Sequence, residues 1–359
     1  MRGEGLKTMP PILPIFPNRA TGVARTLRYR LAMGEIDAAW DDVLAMYRIG
    51  ELHRRGVWNM VSSLVNTSMV GMANQAAESV LLHSDWTTDE IRRRAEEMMP
   101  FHQPWREEEI KLIMRNDRLI ALDALTHMAN GTFGFDVLSG SDSQCCPRPG
   151  TDSWFGTINA MRFVRMGIIM KTVNQHFDEL EQWYFSDDLE LNYEDLGSMY
   201  DIFKKFAWYG QFGMIPHLIG PMMVNLLTPA IEAWRTANKR QEAEISLLRL
   251  LFALEAYHRD NGEYPEALDD LLGHTIDEMP LEPFSSNPAG EPFRYILEER
   301  GFLLYSVGPN GIDEDGRGNN DVPKGDDIRR RLPMVPDFTP PTPLAVTSET
   351  PSPSIPSSP

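Results

Sequence analysis

The sequence predicts a mainly α N-terminal helical bundle followed by a small α+β domain, in which a long helix packs on a short antiparallel sheet. Three observations carry this expectation. Apolar residues recur at helical spacing almost without a break from Ala24 to Asn130. A helical stretch of about 32 residues, roughly 48 Å at 1.5 Å each, opens at Thr228-Pro229 and stops at Asn261-Gly262. Beyond it, Phe293 to Glu298 and Phe302 to Val307 alternate in polarity around Glu299-Arg300-Gly301, which reads as a β-hairpin.

Taken in order, the elements begin with Leu27, Leu31, Trp40, Val43, Leu44, Met46, Tyr47 and Leu52, a helical stripe that Met33-Gly34-Glu35 interrupts. A second helix runs from about Val57 to Leu82. It has no charge between Val57 and Ala77, yet Asn59, Ser62, Ser63, Asn66, Asn74 and Gln75 make it a central bundle helix rather than a lipid-facing one. Thr87 and Glu90 stand at capping-box spacing and open a third helix through Met98. A fourth, from about Arg106 to Met128, places Ile110, Ile113, Met114 and Leu125 on one face with Glu107 and Lys111 four apart outside it.

Asn130 to Asp152 reads as a long loop, and helices resume over about Trp154 to Tyr184 and Tyr193 to Trp208. Phe206 to Ile231 is free of formal charge but broken by Pro216, Pro221 and Pro229, so buried packing is expected there rather than a membrane span. After the long helix come a short helix over Pro265 to Leu272, the hairpin, and the glycine-rich acidic loop Gly308 to Asp327. The expected organisation is an irregular start over 1–22, a helical domain over 23–228, the α+β domain over 229–330 and a Pro/Ser/Thr-rich tail over 331–359. Nine of the 27 prolines fall in Pro333 to Pro359, a composition too poor in large apolar side chains to offset its ordering entropy.

Length and charge bound the function. The 359 residues suit two domains, and a net charge of −18 repels phosphate backbones and anionic lipid at long range, so no nucleic-acid partner is expected. Met9 to Phe16 is apolar but too short, and too broken by Pro10, Pro11 and Pro14, for a signal peptide or a span. Membrane association would therefore need an N-terminal segment that is missing or unrecognised. The adjacent Cys145 and Cys146 cannot staple distant loops.

Chemistry-bearing motifs are sparse. No zinc-protease, nucleophile-elbow, phosphate-loop or dinucleotide pattern is present, and none of the eight histidines stands three or four residues from another. No catalytic or organic-cofactor residues are assigned. The loop Gly308 to Asp327 is different, because its six acids oppose only Arg317 and Lys324. A hard cation such as calcium takes six to eight oxygens from a flexible chain, and carboxylates, Asn side chains and carbonyls freed by glycines supply them. The metal candidates are Asn310, Asp313, Asp315, Asp321, Asp326 and Asp327, with Asn319 and Asn320 as further donors. Read as an EF-hand the loop fails, since Gly311 and Val322 would fall on ligand positions. The alternative is an acidic turn that binds no ion.

The long helix, hairpin and loop together resemble the C-terminal domain of the type II secretion major pseudopilin, the G protein. The matching stretches are Leu254-Glu-Ala-Tyr-His-Arg-Asp-Asn-Gly-Glu-Tyr-Pro265, Leu268 to Leu272, Pro280-Leu-Glu-Pro-Phe284, Asn287-Pro-Ala-Gly-Glu-Pro-Phe-Arg-Tyr295, Leu304-Tyr-Ser-Val-Gly-Pro-Asn-Gly311 and Gly325-Asp-Asp-Ile328. The resemblance covers about residues 229–328 and implies a long helix on a small sheet with a calcium-stabilised loop. By similarity, Asn310 takes the place of an acidic residue and Asp327 that of the Asp-Ile ending. The family's leader and membrane helix have no counterpart, since about 228 other residues come first, and Ile312 to Lys324 is a longer insertion.

The function expected is a non-enzymatic interaction or assembly protein with protein partners and a pseudopilin G-like module stabilised by calcium. An enzyme with a site in the helical domain or at the junction, near His217, Asn225 and Trp234, is the alternative. Calcium dependence favours an extracytoplasmic or membrane-associated place, although the chain carries no export signal.

Overall fold

The computed structural model describes residues 15–129, 166–186 and 215–333, apart from 286, 288 and 289. Among these residues lie seven α-helices: α1 (Ile15–Ala32), α2 (Ile36–Arg54), α3 (Met60–His83), α4 (Thr88–Met98), α5 (Glu107–Ala129), α6 (Met166–Tyr184) and α7 (Ile215–Asn261). One antiparallel sheet follows, β1 (Arg294–Glu298), β2 (Gly301–Ser306) and β3 (Ile328–Leu332), with β2 in the centre. The chain is thus mostly helical with a small three-stranded sheet. The expected loop over 130–152, both cysteines, the expected helix over 193–208 and the tail from 334 onward lie outside the described residues.

The chain divides into two compact units. The first comprises Met1–Ala77 and Phe101–Asn238, the second Glu78–Pro100 and Lys239–Pro359, so α3 and α7 each contribute to both. The second unit therefore includes α4, upstream of the 229–330 span expected for the α+β domain.

In the first unit, Met60, Ile113, Phe177, Leu180, Ile231 and Trp234 belong to one buried apolar cluster drawn from α3, α5, α6 and α7. Gly34, at φ 74°, makes the expected turn between α1 and α2. The α3 N-terminus shows why an uncharged helix begins where it does. Asn59 Oδ1 accepts the Ser62 N–H at 2.8 Å, Ser62 Oγ accepts the Asn59 N–H at 3.2 Å, and Asp117 of α5 accepts the Met60 N–H at 2.8 Å. Asn116 donates to the Trp58 carbonyl beside it.

Two ends of helices differ from expectation. Helix α1 begins at Ile15, with Pro17 in its first turn, where the missing N–H breaks no helical bond. Helix α7 does not begin at Thr228: that side chain is buried and its Oγ1 lies 2.8 Å from His176 Nε2, so it serves α6 instead of capping a helix start. Pro229 then stands inside the helix, where it removes one main-chain donor. The other end falls as expected, with Gly262 at φ 81° and its N–H on the His258 carbonyl at 2.8 Å.

In the second unit the capping box of α4 is complete, Thr87 and Glu90 each accepting from the other's main chain. Thr88 Oγ1 donates to Asp260, whose carboxylate also pairs with Arg92, and Arg259 donates to the Ser84 carbonyl. These bonds fix α4 to the last turns of α7. The sheet is read off its register. Phe302, Leu304 and Ser306 share one face of β2, while Leu303 and Tyr305 share the other, and every β2 residue is buried. Tyr264 covers the first face edge-on to Phe302 at 4.8 Å, with its hydroxyl on Glu255 of α7 at 2.7 Å.

Asp117 gives a pH test of the first unit. Burial pushes its carboxyl up to about 6, against the opposing pull of the Met60 N–H. A group raised in the fold stabilises most when it is protonated in both states, so its contribution is greatest below about pH 4 and is lost as pH rises through about 6. Asp117→Asn keeps an acceptor for Met60 but cannot titrate. The stability of the variant relative to the parent should therefore rise between pH 4 and 6.5 and level off above that, as read by urea unfolding at each pH.

Candidate functional site

The acidic loop connects β2 to β3, and pairing of Ser306 with Ile328 brings its two ends together. Gly308, at φ 70°, stands where a Cβ would run into the Asp326 main chain, so only glycine lets the ends approach this closely. The middle folds back on the end: Arg317 accepts the Asp327 N–H at 2.9 Å, and Gly318 accepts the Gly325 N–H at 3.2 Å. Gly316, at φ 82°, seats against Leu303 and Tyr305 and covers the second face of β2.

Asp327 holds this arrangement. It is 4% exposed, and its Oδ2 accepts the Gly316 N–H at 2.7 Å and the Glu314 N–H at 3.2 Å. Asp326 Oδ2 accepts the Asn310 N–H at 3.1 Å, Asn310 Nδ2 donates to Glu314 Oε1 at 2.7 Å, and Glu314 Oε2 accepts the Asp326 N–H at 3.4 Å. One carboxylate oxygen from each of Glu314, Asp326 and Asp327 lies within 4.8 Å of the other two. Asp326 Oδ1 and Asp327 Oδ1 are buried and receive no hydrogen bond.

The electrostatics follow from the crowding. Burial raises the Asp327 carboxyl to about 7, and the neighbouring Glu314 charge adds to this against the Gly316 N–H. Asp326 is also raised, first by burial and then by Glu314, with the Asn310 N–H opposing. Glu314 feels burial as well, but the amide of Asn310 and the hydrogen-bonding groups of Asp327 and Asp326 bring it below its ordinary value. Three acids therefore share one corner, two of them held toward the neutral form.

No family model, no characterised protein and no solved structure matches this chain. What the corner can hold is judged from its own geometry. Calcium binds oxygens at 2.3–2.6 Å, so two ligands of one ion stand no more than about 5 Å apart, and these three oxygens lie within that limit. The two buried oxygens of Asp326 and Asp327 can be satisfied by a cation, or by a proton shared with Glu314 where Asp326 and Asp327 are neutral. Glu314, Asp326 and Asp327 could together hold a divalent cation, three of the six to eight oxygens that calcium takes.

The structure brings together only some of the residues expected from sequence. Asp326 and Asp327 converge, and Asn310 stands at the rim, orienting Glu314 and bonding Ile312 N–H through its own Oδ1. Asp313 turns to the sheet instead, accepting from the Tyr305 hydroxyl at 3.0 Å and lying 3.5 Å from Arg294 Nε. Asp315 is exposed at φ 58°, its N–H on Asp313. Asp321 is taken by Arg329, which holds its carboxyl below the usual range, and Asn319 and Asn320 are exposed. Glu314 is the converging acid that is not among the residues expected from sequence. It stands twelve residues from Asp326, and only the fold-back at Gly316 joins them.

The enzyme alternative has one described side chain. Trp234 is fully buried in the apolar cluster of the first unit against Tyr184, and the side chains of His217 and Asn225 lie outside the described residues.

Gly316→Ala tests the seat. A left-handed backbone costs an L residue roughly 1–2 kcal/mol, and the added methyl meets Leu303 at 2.9 Å. The second unit should lose about 2 kcal/mol in denaturant unfolding, with calcium present or absent.

Proposed function

We propose that this chain is a non-enzymatic interaction or assembly protein whose second unit is a pseudopilin G-like module stabilised by calcium. The observation that carries the reading is the convergence of one carboxylate oxygen from each of Glu314, Asp326 and Asp327 within 4.8 Å of one another. The long helix α7, the small antiparallel sheet and the loop between β2 and β3 support the same reading.

The part calcium would play is mechanical. Glu314 lies in the first half of the loop and Asp326 and Asp327 at its end, so an ion among them would cross-link the fold-back. That fold-back places Gly316 over Leu303 and Tyr305 and lets Arg329 reach both the Gly316 carbonyl and Asp321. An ion here neutralises mutual repulsion and secures the cover of the sheet. A module so stiffened presents a fixed surface to protein partners, which is the role expected of an assembly protein.

Thermal melts of the full chain with metal analysis test this. Calcium at about a hundred times its dissociation constant adds about 2.7 kcal/mol, so the melt of the second unit should rise by about 10 °C over that in chelator. Asp327→Asn should abolish the difference. Coincident melts in chelator and in calcium, with no bound metal, would overturn the calcium reading.

A further inference from the structure

We propose that the outer face of α1 is a docking surface for an anionic membrane. This is independent of the calcium reading and rests on a different part of the molecule. Helix α1 carries Arg19, Arg25, Arg28 and Arg30 and no acidic residue, in a chain whose net charge is −18. It packs inward through Ala20 and Leu27, which are buried. Arg30 is used locally, donating to the Ala38 carbonyl and pairing with Asp42 of α2 at 2.8 Å.

The other three arginines are exposed, and among the described residues none of them faces a carboxylate in an ion pair. At about 3.6 residues per turn, Arg19 and Arg25 fall on the half of the helix centred on Tyr29 and Arg28 at its edge, and Met33 follows in the turn just past the helix end. Those two are 64% and 60% exposed, among the most exposed large apolar side chains described. Exposed arginines around an exposed tyrosine and methionine suit a helix that lies at a lipid interface, where the aromatic ring sits at headgroup depth and the guanidinium groups meet lipid phosphate.

The charge distribution decides among anionic occupants. A nucleic acid would gain from the same arginines, but among the described side chains of α1 Tyr29 is the one exposed aromatic ring, which offers no run of stacking platforms. The strongly acidic remainder, where it lies beyond a Debye length of about 10 Å, is screened and does not prevent contact.

The test uses the full chain and vesicles of phosphatidylcholine with or without ~30% phosphatidylglycerol, with chelator present so that no divalent ion bridges the acidic loop to lipid. Co-sedimentation should show binding to the anionic vesicles at least about tenfold stronger than to neutral ones, falling steeply between ~0.1 M and ~0.5 M salt. The triple variant R19Q/R25Q/R28Q should lose at least about tenfold, and Y29S/M33S should weaken binding while leaving its salt dependence. Circular dichroism checks that both variants keep the parental helix content. Equal binding to neutral vesicles, no binding at low salt, or undiminished binding by the triple variant would overturn the proposal. So would arginine-dependent binding to a mixed-sequence RNA, or arginine-dependent self-association, with the anionic vesicles left unbound.

Discussion

A carboxylate buried to 4% exposure, receiving the N–H groups of Gly316 and Glu314, is the contact on which the second unit's sheet depends. A three-stranded sheet has a central strand with two faces to hide, and α7 with Tyr264 attends to one of them. The second face, Leu303 and Tyr305, is covered by a loop with few apolar residues of its own. Gly316 succeeds there because it has no side chain to hold the main chain off, and Asp327 succeeds because it satisfies the donors that this close approach would otherwise bury unpaired. The acids gathered nearby are thus a consequence of the cover. Every donor the loop turns inward needs an acceptor, and the sequence supplies carboxylates.

The arginines of β3 obey the same logic from the strand's side. Arg329 points to the loop face and takes Asp321, Arg330 points to the opposite face and takes Glu78 at 2.8 Å, and Arg331 takes Glu298 across the sheet. A strand reading Ile-Arg-Arg-Arg-Leu has little intrinsic appeal, and its residues are only partly hidden. Each charge has a partner on a different element, so strand formation there is a tertiary event. Burial raises the Glu78 carboxyl while Arg330 lowers it, and the pair is costly to break from either side.

This explains which parts of the molecule were legible in the sequence. The capping box at Thr87, the C-terminal stop at Gly262, the turn at Gly34 and the hairpin between β1 and β2 are local devices, encoded within a few residues, and they stand where the sequence places them. The start of α7 was misread because Thr228 has the right chemistry for a cap and spends it on His176. The strand β3 was not expected, since its arginines depend on Asp321, Glu78 and Glu298, the most distant some 250 residues away in sequence. In the loop, composition pointed to the right twenty residues but not to the right acids. Asp313 and Asp321 face Tyr305 and Arg329, and Glu314 enters only through the fold-back. Helix α4 belongs with α7 for a reason no local pattern holds, the bonds from Thr88 and Arg92 to Asp260.

Net charge is a similarly coarse guide. A value of −18 argues against anionic partners only if the charge is spread evenly, and here it is not. The acids of the loop are largely engaged with main-chain donors and arginines, so they contribute to the second unit's architecture more than to a free surface. The arginines of α1 are the reverse case: Arg30 pairs with α2, and the other three are exposed and form no ion pair among the described residues. Fixed charges without internal partners are those that an external surface can still recruit, because binding desolvates them without breaking a bond already made in the fold. On that criterion the exposed half of α1, and not the acidic bulk of the chain, sets the molecule's electrostatic preference at short range.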